Sequence, residues 1–546
     1  MTATQPKIVT IVARDGVELA AAVYMPGSGG PFPALFAASP YRFDNNTLPA
    51  SPQFLWRETG PIDWYVAQGY AYVHLDVRGS GRSGGTFGFM DRKEQEDLYD
   101  AIQWIAAQDW SNGKVGSIGQ SYYCMLQWFM GALNPPALKC IGAHDGLADP
   151  YRANCYNGGI PGDFFPGYWW YQNRFINQFP ASGPSRLQET DLNALLAAHP
   201  LYDDFWKERC AREVQHMITT PIYCSGVWSK MFIHVRGVID GYRQAKAPKK
   251  LRMSGAPNAW GAAAEFSSVA FHEKVMLPFY DHYLKGKDTG WLDRPDVQYA
   301  VRGSNVTRDA DQWPPANTRY ERWWLDGSKS GSVTSLNDGG LARQKPAGEA
   351  ATGYDYPDPG WVAGVVGFGP TGPAGGFDPA RRVLTFTSAP LAADLEIAGP
   401  IKLELFASSS ARDTDFFVKI SDQFPQSPED RGRGLNPFAE VVTRGWLRAS
   451  HRAIDPAKST EMEPFHPHDR EEPIEPGRVY KFEISLEPMA YLFRAGHRLR
   501  LEIVNGDSPF TEQLWPHYYR PDKVGRDTIH HDAEHPSALI LPVSET

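Results

Sequence analysis

The segment Lys114-Val-Gly-Ser-Ile-Gly-Gln-Ser-Tyr-Tyr-Cys124 has the residue types of a nucleophile held on a sharp bend. An apolar strand runs into Gly-x-Ser and then into a helix. Such a bend leaves room only for a small residue two places before the serine, which Gly119 supplies, and it lifts the Ser121 hydroxyl above the strand ends. The backbone N–H of Tyr122, opening the helix, would then face the oxyanion that develops on an attacked carbonyl. Tyr123 stands where the common G-x-S-x-G pattern has glycine, so an ordinary serine at a strand–helix junction reads this segment equally well.

Two further segments bear on that choice. Ser39-Pro40-Tyr41-Arg42 follows the first core strand, the place from which a second oxyanion donor is drawn in such sites. There the Tyr41 phenol either replaces a backbone N–H or simply packs on a proline turn. His74-Leu-Asp-Val-Arg-Gly-Ser-Gly-Arg-Ser-Gly84 follows the next strand and is expected to be structural, with Asp76 and Arg78 pairing to hold a compact loop.

Stepping outward, residues 7–25 read as two alternating strands around Arg14-Asp15-Gly16. Apolar runs at 33–38 and 71–75, the strand at 114–118 and the helical patterns at 62–68 and 93–108 alternate as strand and helix, which predicts a doubly wound α/β sheet. From 151 to 217 the strand rhythm stops and aromatics crowd PGDFFPGYWWYQNRFINQF, as in a cap inserted over the sheet. Phe164, Phe165, Tyr168, Trp169, Trp170 and Tyr171 either line an apolar pocket or form the cap's own core. Strands resume at 220–225 and 250–254, and a closing helix is expected over 267–284. Beyond Asp293, alternating segments at 297–302, 382–386, 401–407, 414–420, 479–486 and 498–503 predict an all-β sandwich, and the Gly/Pro-rich stretch 353–378 a long wrapped loop.

With these elements in place, a resemblance becomes specific. PYR at 40–42, DVRGSGRSGG at 76–85 and GQSYY at 119–123 resemble, in order and spacing, the cocaine esterase and X-Pro dipeptidyl-peptidase family of α/β-hydrolases. YDHYLKGKDTGW (280–291), ASHRAID (449–455) and AGHRLRLEI (495–503) extend the similarity over essentially the whole chain. It implies an α/β-hydrolase core (1–150 and 218–293) with a helical cap (151–217) and a C-terminal jelly-roll sandwich (294–546). It also implies cleavage of an ester or amide through an acyl-enzyme, with Ser121 as nucleophile and Tyr41 and the Tyr122 amide as oxyanion hole. Cys124, standing at the family's glycine three places after the serine, would narrow the pocket, with Phe165, Trp169 and Trp228 as further lining.

Two departures stand out. Where the family carries its acid in GW-x-D, this chain reads Ser225-Gly-Val-Trp-Ser-Lys230, and where it carries its histidine in GPW-x-H, this chain reads Gly255-Ala-Pro-Asn-Ala-Trp-Gly261. A serine hydroxyl is a weak nucleophile without a base, whose help is worth about 10²–10⁴ in rate. One replacement pair is coherent: His234 as base, oriented by Asp145, both expected beyond strand ends on the side where Ser121 emerges. His234 reads equally well as a core histidine bonded to backbone, and Asp145 and Asp149 as caps or anchors of the inserted segment. His74, His144 and His272 are weaker alternatives.

Bulk properties set the class. At 546 residues the chain exceeds one core, and 42% hydrophobic with 21% charged residues describes a globular protein. A net charge of −9 without long basic runs argues against nucleic acid or an anionic membrane as partner and for a small-molecule substrate. Neither a signal-peptide pattern nor a stretch of about 18 apolar residues occurs, so a cytoplasmic location is expected. The five cysteines are expected to be buried free thiols, with no metal and no other cofactor, and a homodimer is possible. The expectation is therefore a serine hydrolase acting on a small, partly apolar or aromatic substrate. The altered triad leaves a lyase, an isomerase or a non-catalytic binder as the alternative, and a carbohydrate-binding sandwich as a more remote one.

Overall fold

Short apolar strands alternating with helices build the first sheet of the protein, which a computed structural model describes over residues 5–44, 58–162, 165–178, 189–230, 233–348, 350–358, 378–506, 517 and 519–545. Strands β1 (Lys7–Val12) and β2 (Glu18–Tyr24) form the expected antiparallel hairpin. β3 (Phe32–Ser39), β4 (Ala71–Asp76), β5 (Ser111–Gln120) and β6 (Leu138–His144) follow, then a two-residue pair, β7 (Tyr156–Asn157) and β8 (Ile160–Pro161), then β9 (Ile222–Val227), β10 (Lys249–Ser254), β11 (Val297–Val301) and β12 (Val306–Ala310). The sheet order is β1-β2-β4-β3-β5-β6-β9-β10-β11-β12, parallel from β4 through β11.

Both faces of this sheet are covered, which is why its central strands are apolar throughout rather than alternating. Ile141 and Gly142 are successive residues of β6 and therefore point to opposite faces. Ile141 meets Gly131 of α3 (Tyr122–Leu133), and Gly142 is close enough to the Tyr280 hydroxyl, on the helix Leu277–Lys285, that a Cβ there would clash. The expected continuous helix over 267–284 is instead broken by a π-turn at His272–Met276, just before Pro278, whose missing N–H cannot continue the ladder.

Three more helices, α4 (Phe165–Gln178), α5 (Leu192–Ala197) and α6 (Asp204–Arg209), lie in the inserted segment, and α7 (Val235–Gln244) and α8 (Ala259–Ser267) follow β9 and β10. No helix of the described residues is long and apolar enough to cross a membrane.

One boundary differs from expectation. Val297–Val301, assigned from sequence to the C-terminal domain, pairs in parallel with β10, and β12 pairs antiparallel with it, so the core sheet runs on past residue 293. The unpaired backbone edge of β10 is what recruits them, since an open edge is covered wherever the next strand can reach it.

The remaining strands are β13 (Thr318–Lys329), β14 (Gly339–Ala342), β15 (Ala351–Tyr356), β16 (Leu384–Ser388), β17 (Leu395–Ser409), β18 (Asp415–Gln423), β19 (Ala439–Arg448), β20 (Tyr480–Phe493), β21 (Arg498–Val504), β22 (Gly525–His530) and β23 (Ala538–Ser544). A two-sheet jelly roll was the expectation; nine of the eleven strands instead form one hydrogen-bonded circuit closed by pairing of β17 with β23, a barrel, with β22 and β15 extending from β17 outside it. β17 makes the closure possible, because its 15 residues, bent by a bulge after Gly399, pair with β20 on one edge and with β22 and β23 on the other. Of the stretch 353–378, the first residues belong to β15 and 359–377 lie outside the described residues.

The loop after β4 is fixed by charge, though not by the pair the sequence proposed. The Asp76 carboxylate accepts the N–H groups of Phe43 (2.7 Å) and Arg82 (2.9 Å). Arg78 binds Asp97 through two hydrogen bonds of 2.6 Å and reaches Asp15 at 3.1 Å. Removing the guanidinium strands a buried carboxylate, so Arg78→Ala should cost about 3–5 kcal/mol, seen as a shift of the first urea transition. A loss under about 1 kcal/mol would contradict this account.

Candidate active site

Between β5 and α3 the chain turns on Ser121, whose φ of 60° and ψ of −120° lie outside the ordinary regions for a residue with a side chain. Holding it there costs about 1–3 kcal/mol. Two backbone hydrogen bonds offset the cost: Ser121 N–H donates to the Asp145 carbonyl (2.9 Å) and the Ser121 carbonyl accepts from Met125 N–H (2.9 Å). Gly119 has φ of 132°, and a Cβ there would sit 2.4 Å from Cβ of Tyr123, so both conformation and space demand glycine. Ser121 keeps partial exposure while Gln120 and Tyr122 on either side are buried.

Tyr41 reaches this bend from the turn after β3. Its phenolic oxygen accepts a hydrogen bond from Trp169 Nε1 of α4 (3.0 Å), so the phenolic proton is what it offers, and the Ser121 hydroxyl lies close enough to act on its ionisation. Burial raises the Tyr41 pKa well above the ordinary value, which keeps the phenol a donor at any physiological pH. Trp169 also stacks on the ring of Tyr122 (5.8 Å, 7°), and Asn177 of the same helix donates to the Pro40 carbonyl (2.9 Å) and accepts from Gly81 N–H (2.8 Å). The Tyr122 N–H opens α3, one of the donors that a helix start leaves without an intrahelical acceptor.

Acid and base sit otherwise than expected. Asp145, with φ of 46°, is fully buried beneath the bend. Its carboxylate accepts from Gln120 Nε2 (2.9 Å) and Val227 N–H (2.9 Å) and pairs with Lys230 Nζ (3.3 Å). His234 precedes α7 and is buried nearby, but its Nδ1 has no hydrogen-bond partner, so the expected imidazole–carboxylate pair is not made. Burial first, and the Lys230 charge second, push the His234 pKa down to about 3. The physical reason is competition: Lys230 stands two residues after Trp228, where the family motif leads one to expect the acid, and takes the carboxylate that would have oriented the imidazole.

The second missing motif is also accounted for. After β10 the chain enters α8, capped by Asn258 accepting from Gly261 N–H (2.9 Å), and no imidazole emerges there. His74 bonds Tyr123 (2.9 Å), His272 bonds Tyr65 and the Phe266 carbonyl (2.8 and 2.6 Å), and His144 stacks on Phe266 (4.6 Å) with neither nitrogen hydrogen-bonded.

Glu58 is the residue that sequence reasoning missed. It sits just before α1 (Ile62–Ala67), and its carbonyl accepts from Gln120 N–H (2.8 Å), which ties it to the residue preceding Ser121. Its carboxylate lies close enough to the Ser121 hydroxyl for that hydroxyl to act on its ionisation, and one buried oxygen, Oε2, has no hydrogen-bond partner. Burial raises its pKa to about 8, against the opposing charge of Lys230. The one sequence signal was an acid among apolar and aromatic residues in FLWRETGP.

The remaining expectations divide. Trp169 lines the roof over Tyr41, but Cys124 is buried beneath Gly146, where an added Cβ would lie 2.4 Å from its sulfur, and so does not border the bend. Trp228 turns away, donating to the Ala300 carbonyl (2.7 Å) and packing on Trp313, because β11 and the chain after it fill that side. Trp170 stacks on Phe87 within the cap's core, and Tyr168 and Tyr171 are exposed. Phe164 and the Phe165 side chain lie outside the described residues. All five cysteines are buried and free. Among the described residues one set of donors spaced for a metal, His530, Asp532 and His535, occurs at the end of β22 and in the turn after it, in the C-terminal domain.

Residues 15–257 match the X-Pro dipeptidyl-peptidase (S15 family) and residues 289–540 the X-Pro dipeptidyl-peptidase C-terminal non-catalytic domain. The chain is 26% identical to the cocaine esterase of Rhodococcus sp. (strain MB1 Bresler), with 98% of each covered. A CocE/NonD family hydrolase from Staphylococcus aureus superposes with a TM-score of 0.82 at 27% identity, covering 99% of this chain and 93% of that one. An α-amino acid ester hydrolase shares the fold, with a TM-score of 0.74 at 21% identity, over 98% of this chain and 96% of that one.

If the phenol is a donor to developing negative charge, Tyr41→Phe should lower kcat about 10²–10³-fold with little change in melting temperature. A kcat within threefold of the parent enzyme would remove Tyr41 from that role.

Proposed function

From the premise that this chain belongs to the cocaine esterase and X-Pro dipeptidyl-peptidase family of hydrolases, we propose that it is a serine hydrolase cleaving an ester or amide of a small, partly apolar or aromatic molecule through an acyl-enzyme. The observation that carries the reading is the Ser121 conformation: a partly exposed hydroxyl on a bend of φ 60°, with a buried phenol on one side and a helix-opening N–H beside it.

The steps follow from that arrangement. Ser121 Oγ attacks the acyl carbon and gives up its proton to a nearby acceptor. The carbonyl oxygen becomes an oxyanion between the Tyr41 hydroxyl and the Tyr122 N–H, groups already oriented before reaction and set among buried side chains where their dipoles act strongly. Collapse of the tetrahedral species expels an alcohol or amine and leaves the acyl group on Ser121, and water repeats the sequence to release the acid. The Trp169–Tyr122 stack beside the bend favours an aryl or branched aliphatic group on the substrate.

A fluorophosphonate should add its mass to the peptide carrying Ser121, p-nitrophenyl esters should give a burst of one equivalent of phenol, and Ser121→Ala should abolish both. A folded protein that ignores the probe and turns over no aryl ester or acyl amide overturns the reading and leaves the fold to a binder or a different chemistry.

A further inference from the structure

The hydrolase reading requires an acceptor for the Ser121 proton, and neither His234 nor the segment after β10 provides one. Resting on that reading, we infer that the Glu58 carboxylate is the general base: it takes the proton from Ser121 Oγ during attack and returns it to the leaving group.

Position is the first support. Glu58 is locked to the bend through its main chain, by the hydrogen bond from Gln120 N–H (2.8 Å), and its carbonyl oxygen lies 3.3 Å from where a Cβ on Gly119 would stand. The side chain therefore starts from a fixed point one residue from the nucleophile. Its carboxylate lies close enough to the Ser121 hydroxyl for that hydroxyl to act on its ionisation, and Oε2, buried and without a hydrogen-bond partner, is not committed to any structural contact. A buried carboxylate oxygen left unbonded is costly and calls for a use.

Exclusion is the second. Every described imidazole near the bend is engaged or sequestered: His74 by Tyr123, His272 by Tyr65 and the Phe266 carbonyl, His144 against Phe266, and His234 beside a lysine. Asp145, the other carboxylate at the site, is occupied by Gln120, Val227 and Lys230.

Chemistry is the third. A carboxylate at its usual pKa near 4.5 is a poor base for a serine hydroxyl, and a base serves best when its pKa lies near the working pH. The groups facing Glu58 set that value together. Desolvation raises it, Lys230 from the turn after β9 lowers it, Asp145 from the end of β6 raises it, and the Ser121 hydroxyl lowers it, for a result of about 8. The phenols of Tyr41 and Tyr123 also feel its charge. The proton balance closes: Glu58 gains the Ser121 proton as the Oγ–carbon bond forms, and loses it to the alcohol or amine as the old acyl bond breaks. In the second half it takes a proton from the attacking water and gives it back to Ser121.

Only the unprotonated carboxylate can act, and with a pKa near 8 about a tenth of the enzyme is in that form at pH 7. For a p-nitrophenyl ester, kcat/KM should rise tenfold per pH unit up to a plateau above pH 8. Glu58→Gln, which keeps shape and charge-neutral burial, should lose this limb and about 10²–10⁴ of the plateau rate. Glu58→Asp should restore part of the rate and show a limb again, and His234→Gln should leave the limb where it is. Labelling of the parent enzyme by fluorophosphonate, with Ser121→Ala dead, secures the hydrolase reading independently. Given that result, the inference is overturned if folded Glu58→Gln keeps the parent rate and pH limb. It is equally overturned if Glu58→Gln raises KM only for substrates bearing a free amino group at unchanged kcat, which would make Glu58 an ammonium site.

Discussion

A serine in a conformation that side chains avoid stays there only if its surroundings leave it no alternative, and here that constraint is exerted mainly from Asp145. The Asp145 carbonyl holds the Ser121 N–H, its N–H donates to the Ser225 carbonyl of β9, and its carboxylate binds Gln120 of β5, Val227 of β9 and Lys230 beyond it. One buried residue at the end of β6 thus ties together the carboxyl ends of three adjacent parallel strands. Its own φ of 46° is the cost of facing all of them at once.

The same arrangement explains why a charge sits where an imidazole was expected. A buried carboxylate needs a full set of partners, and a cation satisfies it better than a neutral ring. With Lys230 3.3 Å away, Asp145 is neutralised in place. His234, between burial and that positive charge, remains a neutral ring, the opposing pull of Asp145 being outweighed by both. Lys230 also lies close enough to Glu58 to act on its ionisation, so one ammonium links both carboxylates of the site.

The cap contributes geometry as well as the Trp169 roof over the bend. Through Trp169 and Asn177, α4 hydrogen-bonds the Tyr41 phenol and the carbonyl before it, fixing the donor that the turn after β3 brings in. The insertion is in turn held by the C-terminal domain: Arg448 N–H donates to the Gly158 carbonyl (2.8 Å), and a Cβ on Gly158 would clash with the backbone at Trp446. The barrel therefore bears on the site indirectly, by fixing the segment that leads into the cap.

Local pattern alone determined the strand–bend–helix around Ser121, the need for glycine at 119, the placing of Tyr41 after the first core strand and the alternation that makes a parallel sheet, because each follows from residues a few positions apart. Tertiary structure decided the rest. Glu58 meets Ser121 across 63 positions of chain, and Lys230 meets Asp145 across 85, so no spacing rule could bring either pair together. Which strand covers the free edge of β10, and whether nine of the C-terminal strands close on themselves, likewise depends on which backbone edges come within reach. Asp145 shows the division within one residue: sequence located it beyond a strand end on the side where Ser121 emerges, but whether it orients a histidine or grips a lysine was settled by which partner the folded chain delivers to a buried charge.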